Sequence, residues 1–246
     1  MNNKIDLNKL DIVYPVRRLP EGNSELRYSL RSVAKNMPHR KIWVIGEEIE
    51  WLSSLVNRIE MEDEGKAFEN VNAKLMAAIE NPLVSDPFIF MMDDIFVMQK
   101  IDEIPYYAIG RSLGERLRRY DEYGSYARDL QDARDILWFE GKEDIDFEAH
   151  SPIIFQKAGL SRRLSRWPKS GHRRSLYGNF FKKKPTYVED FKIYGESDEP
   201  EPCVPYISTC VESWRNSSKV YQIVTGEFDD VCEYETIEEI KVKEEQ

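Results

Sequence analysis

The sequence predicts an α/β domain: a central, mixed but mostly parallel sheet flanked by helices, with a basic helical lobe in its C-terminal part. Three observations predict it. Residues 11–46 read as strand, helix, strand, a βαβ unit whose crossover should be right-handed. Phe88-Ile89-Phe90-Met91-Met92 is short and apolar throughout, as in a strand covered on both faces. Residues 149–188 hold ten Lys or Arg and no acid, with helical spacing at either end.

Taken in order, Asp11-Ile12-Val13-Tyr14 reads as the first strand, ended by Pro15, and 16–22 as a loop. A helix opens at Asn23 or Ser24; either can cap it, and Glu25 sits in the first turn where the helix dipole favours a carboxylate. Leu26, Leu30 and Val33 form its apolar stripe, and it stops before Pro38. Residues 41–46 are the second strand, 50–56 a short helix, Ile59 the start of a brief strand and 61–66 an acidic loop. Residues 68–79 predict a helix with Val71, Leu75, Met76 and Ile79 on one face, stopped by Asn81-Pro82. After the 88–92 strand, 101–109 reads as extended around Pro105, 110–124 as a Gly-punctuated mobile loop and candidate lid, and 130–139 as a helix. The basic segment should hold helices at 155–164 and 174–181, followed by a strand at 186–194. Residues 195–205 read as an acidic surface loop, 211–224 fit helix or strand equally, and the charged tail from Glu233 reads as exposed helix or disordered chain.

The chain of 246 residues suits one large α/β domain or a core with an appended lobe. No apolar run approaches the roughly 18–20 residues that span a bilayer, and residues 1–6 contain no apolar leader, so a cytoplasmic protein is expected. Cys203, Cys210 and Cys232 are odd in number and lack a paired metal spacing, which suggests free thiols in a reducing compartment. A net charge of −10 disfavours a protein that coats nucleic acid. The basic segment is the exception, since the rest of the chain carries −20. With aromatics and Gly between its charges it is a candidate phosphate-binding surface; the plainer alternative is a solvated helix face.

The chemistry centres on Asp93 and Asp94, set between Phe88–Met92 and Ile95-Phe96-Val97. Two carboxylates in so apolar a setting are costly unless paired, and a hard divalent cation, Mg²⁺ or Mn²⁺, is the simplest partner. In an open α/β sheet, ligands bind beyond the carboxyl ends of the strands, where this pair falls. A turn or helix cap is the structural alternative, although such motifs normally open onto polar residues. His150, and His172-Arg173-Arg174, could converge on the pair. Metal, imidazole and guanidinium together suit a diphosphate substrate. Neither a P-loop nor a Gly-x-Gly-x-x-Gly motif is present.

Asp11-Ile12-Val13-Tyr14, Glu25-Leu26-Arg27-Tyr28-Ser29-Leu30-Arg31-Ser32-Val33 and Lys41-Ile42-Trp43-Val44-Ile45 together resemble the opening of the Stealth family of nucleotide-sugar-dependent transferases. Phe90-Met91-Met92-Asp93-Asp94-Ile95-Phe96 resembles that family's aromatic-framed Asp-Asp, and His150-x-Pro152 and His172-Arg173 its later blocks. The chain is also similar to short glycosyltransferase-like proteins of bacteriophages, which would place it in the host cytoplasm. The resemblance implies a GT-A-like (Rossmann-like) fold, a nucleoside-diphosphate-sugar donor and a divalent metal. It would divide the chain into a nucleotide-sugar-binding core, 1–145, and an acceptor- and phosphate-binding part of the same catalytic domain, 146–246. It would give Asp93 and Asp94 the metal and the donor diphosphate, His150 the reacting centre, and Arg173 or Arg174 a phosphate. Asp11, Tyr14 and Arg17, with Arg27 near them, would lie by the nucleotide. The chain departs from the family at Pro15-Val16-Arg17-Arg18, where a Trp and a Gly-containing turn are usual, and in a short spacer before His150.

Three functions follow as expectations. The first is a metal-dependent glycosyltransferase acting on an acceptor hydroxyl, of a glycan or of modified DNA. The second is a sugar-1-phosphate transferase of Stealth type, with His150 as base. The third is a non-enzymatic polyanion-binding module that uses the basic segment.

Overall fold

The computed structural model describes residues 4–20, 22–119 and 124–236. Its central sheet holds β1 (Ile12–Pro15), β2 (Ile42–Gly46), β3 (Asn57–Glu60), β4 (Phe88–Phe90) and β7 (Ile153–Phe155) in the order β3-β2-β1-β4-β7. The first four run parallel and β7 runs antiparallel to β4. Two small ladders flank it: β5 (Ile95–Val97) antiparallel to β9 (Tyr206–Ser208), and β6 (Tyr106–Ile109) parallel to β8 (Pro185–Val188). The helices are α1 (Ser24–Asn36), α2 (Ala67–Glu80), α3 (Leu113–Leu117), α4 (Ser125–Phe139), α5 (Lys157–Arg166), α6 (Arg173–Phe180) and α7 (Lys219–Glu227).

Both faces of the sheet are covered, which is why its strands read as unbroken apolar runs. Ile12, Tyr14, Ile42, Val44, Ile89 and Met91 pack with Leu26, Leu30 and Val33 of α1. Val13, Trp43, Ile45, Phe88 and Phe90 face the other way, onto Leu75 and Ala78 of α2 and Leu160 and Leu164 of α5. The polar residues of α1 have structural work as well. Ser29 Oγ donates to the Ile95 carbonyl (2.6 Å), Ser32 Oγ accepts from the Val97 amide (2.9 Å) and Asn36 donates to the Val97 carbonyl (2.7 Å). The helix thus supplies, from its side chains, hydrogen bonds along one edge of β5.

Several expectations are corrected. Residues 50–56 form turns, because Trp51 and Leu52 are drawn inward and Trp51 Nε1 donates to the Gly22 carbonyl (2.8 Å). The expected mobile loop at 110–124 contains α3, closed by a capping box between Ser112 and Glu115, with Leu113 fully buried; its residues 120–123 lie outside the described ones. Asn23 does not cap α1: its φ of 56° places it in the left-handed region, and its amide bonds the Arg17 carbonyl (2.6 Å) and the Leu19 amide (2.9 Å). The ambiguous 211–224 stretch is turns followed by α7, capped by Ser218, while β9, just before it, had no reading as a strand.

The tail expectation also changes for 233–236. Glu235 is buried and accepts from Arg27 Nη1 (2.7 Å), Arg31 Nε (2.7 Å) and Arg31 Nη2 (3.0 Å), strapping this segment across α1. Residues 237–246 lie outside the described ones. Cys203, Cys210 and Cys232 are free thiols. No helix among the described residues is long and apolar enough to cross a membrane.

Candidate active site

The carboxyl ends of β1, β2, β3 and β4 open onto one edge of the sheet, and β7, being antiparallel, enters from that same edge. Asp93 and Asp94 form the turn from β4 into β5 there, in the position expected of them. Asp94 Oδ2 is held by Lys192 Nζ (2.5 Å) and Ser208 Oγ (3.2 Å), and its carbonyl by the Thr209 amide (3.0 Å). Asp94 Oδ1 is buried and has no hydrogen-bond partner. Burial, the adjacent Asp94 and nearby Glu25 push the Asp93 carboxyl up to about 7. The pair therefore has a deficit of positive charge that Lys192 only partly meets.

Cations converge from α6. The guanidinium groups of Arg173 and Arg174 lie 5.9 and 5.3 Å from the ring of Phe90, the last residue of β4. Arg174 Nη1 is spent on the backbone that leads to β7, donating to the carbonyls of Ala149 (3.2 Å) and Ser151. Arg173 donates Nε to Asn72 Oδ1 (2.9 Å), while its Nη2 is buried without a partner. Burial brings Arg173 down to about 10, against the pull of Glu148. So one arginine orders the site and the other keeps a donor in reserve.

His150 precedes β7, which brings it to the same edge. Its backbone amide (3.0 Å) and Nδ1 (2.9 Å) both reach Asp190 Oδ1. Burial would raise Asp190, but the hydrogen bonds and charge of His150 outweigh it and hold the carboxyl below the usual range. An ionised Asp190 selects the tautomer with the proton on Nδ1, leaving Nε2 as an acceptor. Glu148 is likewise held low: burial opposes, but His172, Arg174, the Ser175 amide and Arg173 prevail. A group held low stabilises the fold above its unfolded value and loses that contribution as pH falls through its folded value. The melting temperature should therefore fall steeply below about pH 5. Asp190→Asn should flatten that acid limb, and an unchanged pH profile in this variant would remove Asp190 from the account.

His172 does not join this site. Its ring is buried 3.9 Å from Glu148, in edge contact with Tyr126. Arg17 is exposed in the loop after β1, at the correct edge. The other residues expected near the nucleotide, Asp11, Tyr14 and Arg27, all make structural contacts, Tyr14 doing so at the same edge as Asp93. Asp11 lies at the amino end of β1, away from the Asp pair and fully buried, where it accepts from Arg40 Nε (2.7 Å), Trp43 Nε1 (2.9 Å) and the Ser85 amide (2.9 Å). Tyr14 is buried against Ser29 (3.1 Å) and Met91 (3.3 Å), and Arg27 is paired with Glu235 over the Trp51 ring. These contacts support the fold. Asp11→Ala should cost about 1–3 kcal/mol by stranding the Trp43 and Ser85 donors, with no change in nucleotide affinity. A lost nucleotide-induced thermal shift at full stability would return Asp11 to the ligand site.

Sequence reasoning missed Lys192, Asp190, Glu148 and Asn72. A usable signal existed for two of them: Glu189-Asp190-Phe191-Lys192-Ile193 alternates, putting 190 and 192 on one face and 191 and 193 on the other. Sequence also missed Lys74, buried beside the ends of β1 and β2, with Nζ on the Val16 carbonyl (2.6 Å) and on Asp63 (2.5 Å).

Among the described residues, no group of three or more His, Cys, Asp or Glu gathers around a metal position. This excludes, for those residues, an all-protein cage of the zinc kind. Two carboxylates with one unpartnered oxygen fit a hard cation whose remaining ligands are water and substrate phosphates.

The fold matches solved glycosyltransferases. The galactosyltransferase LgtC, in complex with donor and acceptor sugar analogs, aligns with a TM-score of 0.52 and 12% identity over 91% of this chain and 98% of that one. An active-site mutant of LgtC gives 0.51 and 11%, with the same coverage. The apo form of the glycosyltransferase GlyE of Streptococcus pneumoniae TIGR4 aligns at 0.48 and 12%, over 89% of this chain and 60% of that one, so this chain spans less than two thirds of GlyE. No protein-family model matches the sequence, and no curated protein matches it. At these identities the likeness establishes the architecture: a GT-A-like α/β fold with a mostly parallel central sheet.

Proposed function

We propose that this chain is a glycosyltransferase that moves a sugar from a nucleoside-diphosphate-sugar donor to an acceptor hydroxyl. One observation carries the reading: the carboxyl end of β4 presents an unpartnered carboxylate oxygen, Asp94 Oδ1, on the strand whose Phe90 ring lies beneath Arg173, with its own unpartnered donor, Nη2. A ligand that brings both anionic oxygens and a cation satisfies both at once, and a diphosphate with Mg²⁺ or Mn²⁺ is such a ligand. The GT-A-like fold supports the same placement.

In this reading Asp93 and Asp94 hold the cation, which when bound neutralises charge on the diphosphate. Arg173 binds a phosphate oxygen, and Lys192 and Ser208 keep Asp94 in place. Arg174 orders the 149–151 backbone, and Arg17 lies by the nucleotide. The bond from the anomeric carbon to the diphosphate oxygen breaks and its electron pair stays on the diphosphate. The acceptor oxygen bonds that carbon, and its proton goes to His150 Nε2, oriented by Asp190. The Stealth-type alternative uses the same groups with attack at phosphorus, and would release a nucleoside monophosphate instead.

A thermal-shift screen against UDP-, GDP-, ADP- and CMP-linked sugars, with and without Mn²⁺, tests the reading. The expected result is a metal-dependent rise with one nucleotide class, followed by release of the nucleoside diphosphate. No shift with any donor in a folded protein would overturn it. A polyanion module would rest on the exposed Arg162, Arg166, Lys169, Lys182 and Lys184, since Arg163, Arg173 and Arg174 of the basic segment are buried.

A further inference from the structure

Beside the Asp pair, across the 189–193 segment, lies a cavity of about 560 Å³ bounded by that segment, β6, β9 and residues 199–205. Asp190 belongs to both sides: it borders the cavity and holds His150. Lys192, two residues on, holds Asp94. The cavity is therefore one residue away from the imidazole that would take the acceptor proton.

Its chemistry is the reverse of the donor side. Tyr107, Phe191 and Tyr206 form an aromatic triangle with ring centroids 5.4, 5.9 and 5.5 Å apart, each pair edge-on. Glu189, Glu199 and Glu201, all exposed, stand at the rim with Asp190; Glu199 is paired with Lys219, and no Lys or Arg is among the described residues that line the cavity. The hydroxyl of Tyr206 is buried at its edge with no hydrogen-bond partner. Aromatic surface suits the C–H face of a pyranose, carboxylates accept from its hydroxyls, and an orphaned phenol has a hydrogen bond to make. The same carboxylates repel a phosphate, a uronate or a nucleic acid.

We infer that this cavity is the acceptor site and that it takes a carbohydrate without negative charge; the inference rests on the transferase reading above. It assigns the two substrates to opposite electrostatic surfaces, an anionic donor to Arg173 and a neutral acceptor to the Glu189–Glu201 side. It also removes DNA as acceptor.

The test is binding to an array of neutral, amino, uronic-acid and sialylated glycans with duplex and single-stranded DNA, using the wild type, Tyr206→Phe and Glu189→Lys/Glu201→Lys. The wild type should bind neutral or amino glycans and neither acidic glycans nor DNA. The double variant should lose that binding at least about tenfold, and Tyr206→Phe about fivefold. All three should keep the donor-induced thermal shift. Preference for acidic glycans or DNA, binding indifferent to the double variant, or no glycan bound at all would each overturn the assignment while the donor shift stands. Loss of the donor shift in the wild type would instead overturn the transferase reading.

Discussion

Asp94→Asn is expected to reduce release of nucleotide from the sugar donor by at least about a hundredfold and to abolish the Mn²⁺-dependent thermal shift. The substitution removes the charge that an incoming cation needs. It also strands Lys192, whose side chain is 12% exposed and bonded to Asp94 at 2.5 Å. Breaking such a pair from one side leaves an uncompensated charge and costs a few kcal/mol, so lost activity alone would be ambiguous. The double variant Asp94→Asn/Lys192→Met separates the causes. It should recover most of the melting temperature and remain without a metal-dependent shift. Recovery of activity along with stability would mean that Asp94 is only the structural anchor of Lys192, and the donor site would have to lie elsewhere.

Glu235→Ala should have the largest effect on stability, about 3–5 kcal/mol, or roughly 10 °C in melting temperature for a chain of this size. Glu235 is buried and is the shared acceptor for Arg27 and Arg31, and Arg31 adds Nη1 bonds to the Phe228 (3.0 Å) and Asp229 (2.9 Å) carbonyls. Removing the carboxylate leaves two guanidinium groups against α1, one of them buried, and frees the segment that docks on Ser53 and Trp51. Replacing the two buried partners together, Arg31→Met/Glu235→Leu, should restore much of the loss, because the only guanidinium then left without its acceptor is that of Arg27, which is partly exposed. A melting temperature within about 2 °C of wild type for Glu235→Ala would show that the strap contributes little and that α1 is held by its apolar face alone.

Arg27 and Arg31 also show where sequence reasoning succeeds and where it stops. The Glu25–Val33 string was legible as an amphipathic helix, because its apolar stripe has a period that only a helix presents on one face. Its serines and Arg31 carried no readable assignment, and Arg27 was assigned, by resemblance, to the nucleotide. They serve β5 and Glu235, and the Arg31 to Glu235 bond spans 204 residues. Asp11 is a similar case. A carboxylate opening a strand looks the same in sequence whether it faces a ligand or a structural arginine, and only the docking of Arg40 and Trp43 against it decides. Conversely, the position of Asp93 and Asp94 could be placed in advance, because the apolar runs on both sides leave the pair one position, at the carboxyl end of a covered strand; that the pair also forms a turn is what those apolar flanks argued against.

The sequence by itself determined the α/β class, the covered strands β1, β2 and β4, the helices α1 and α2, and the place of the Asp pair. Each of these follows from local periodicity or from burial that neighbouring residues announce. Tertiary structure decided the rest of the site. Lys192 reaches Asp94 across 98 residues, and Asp190 reaches His150 across 40. A charge finds its partner through chain closure and packing, and no short-range pattern encodes which of the 35 basic or 45 acidic residues that partner will be.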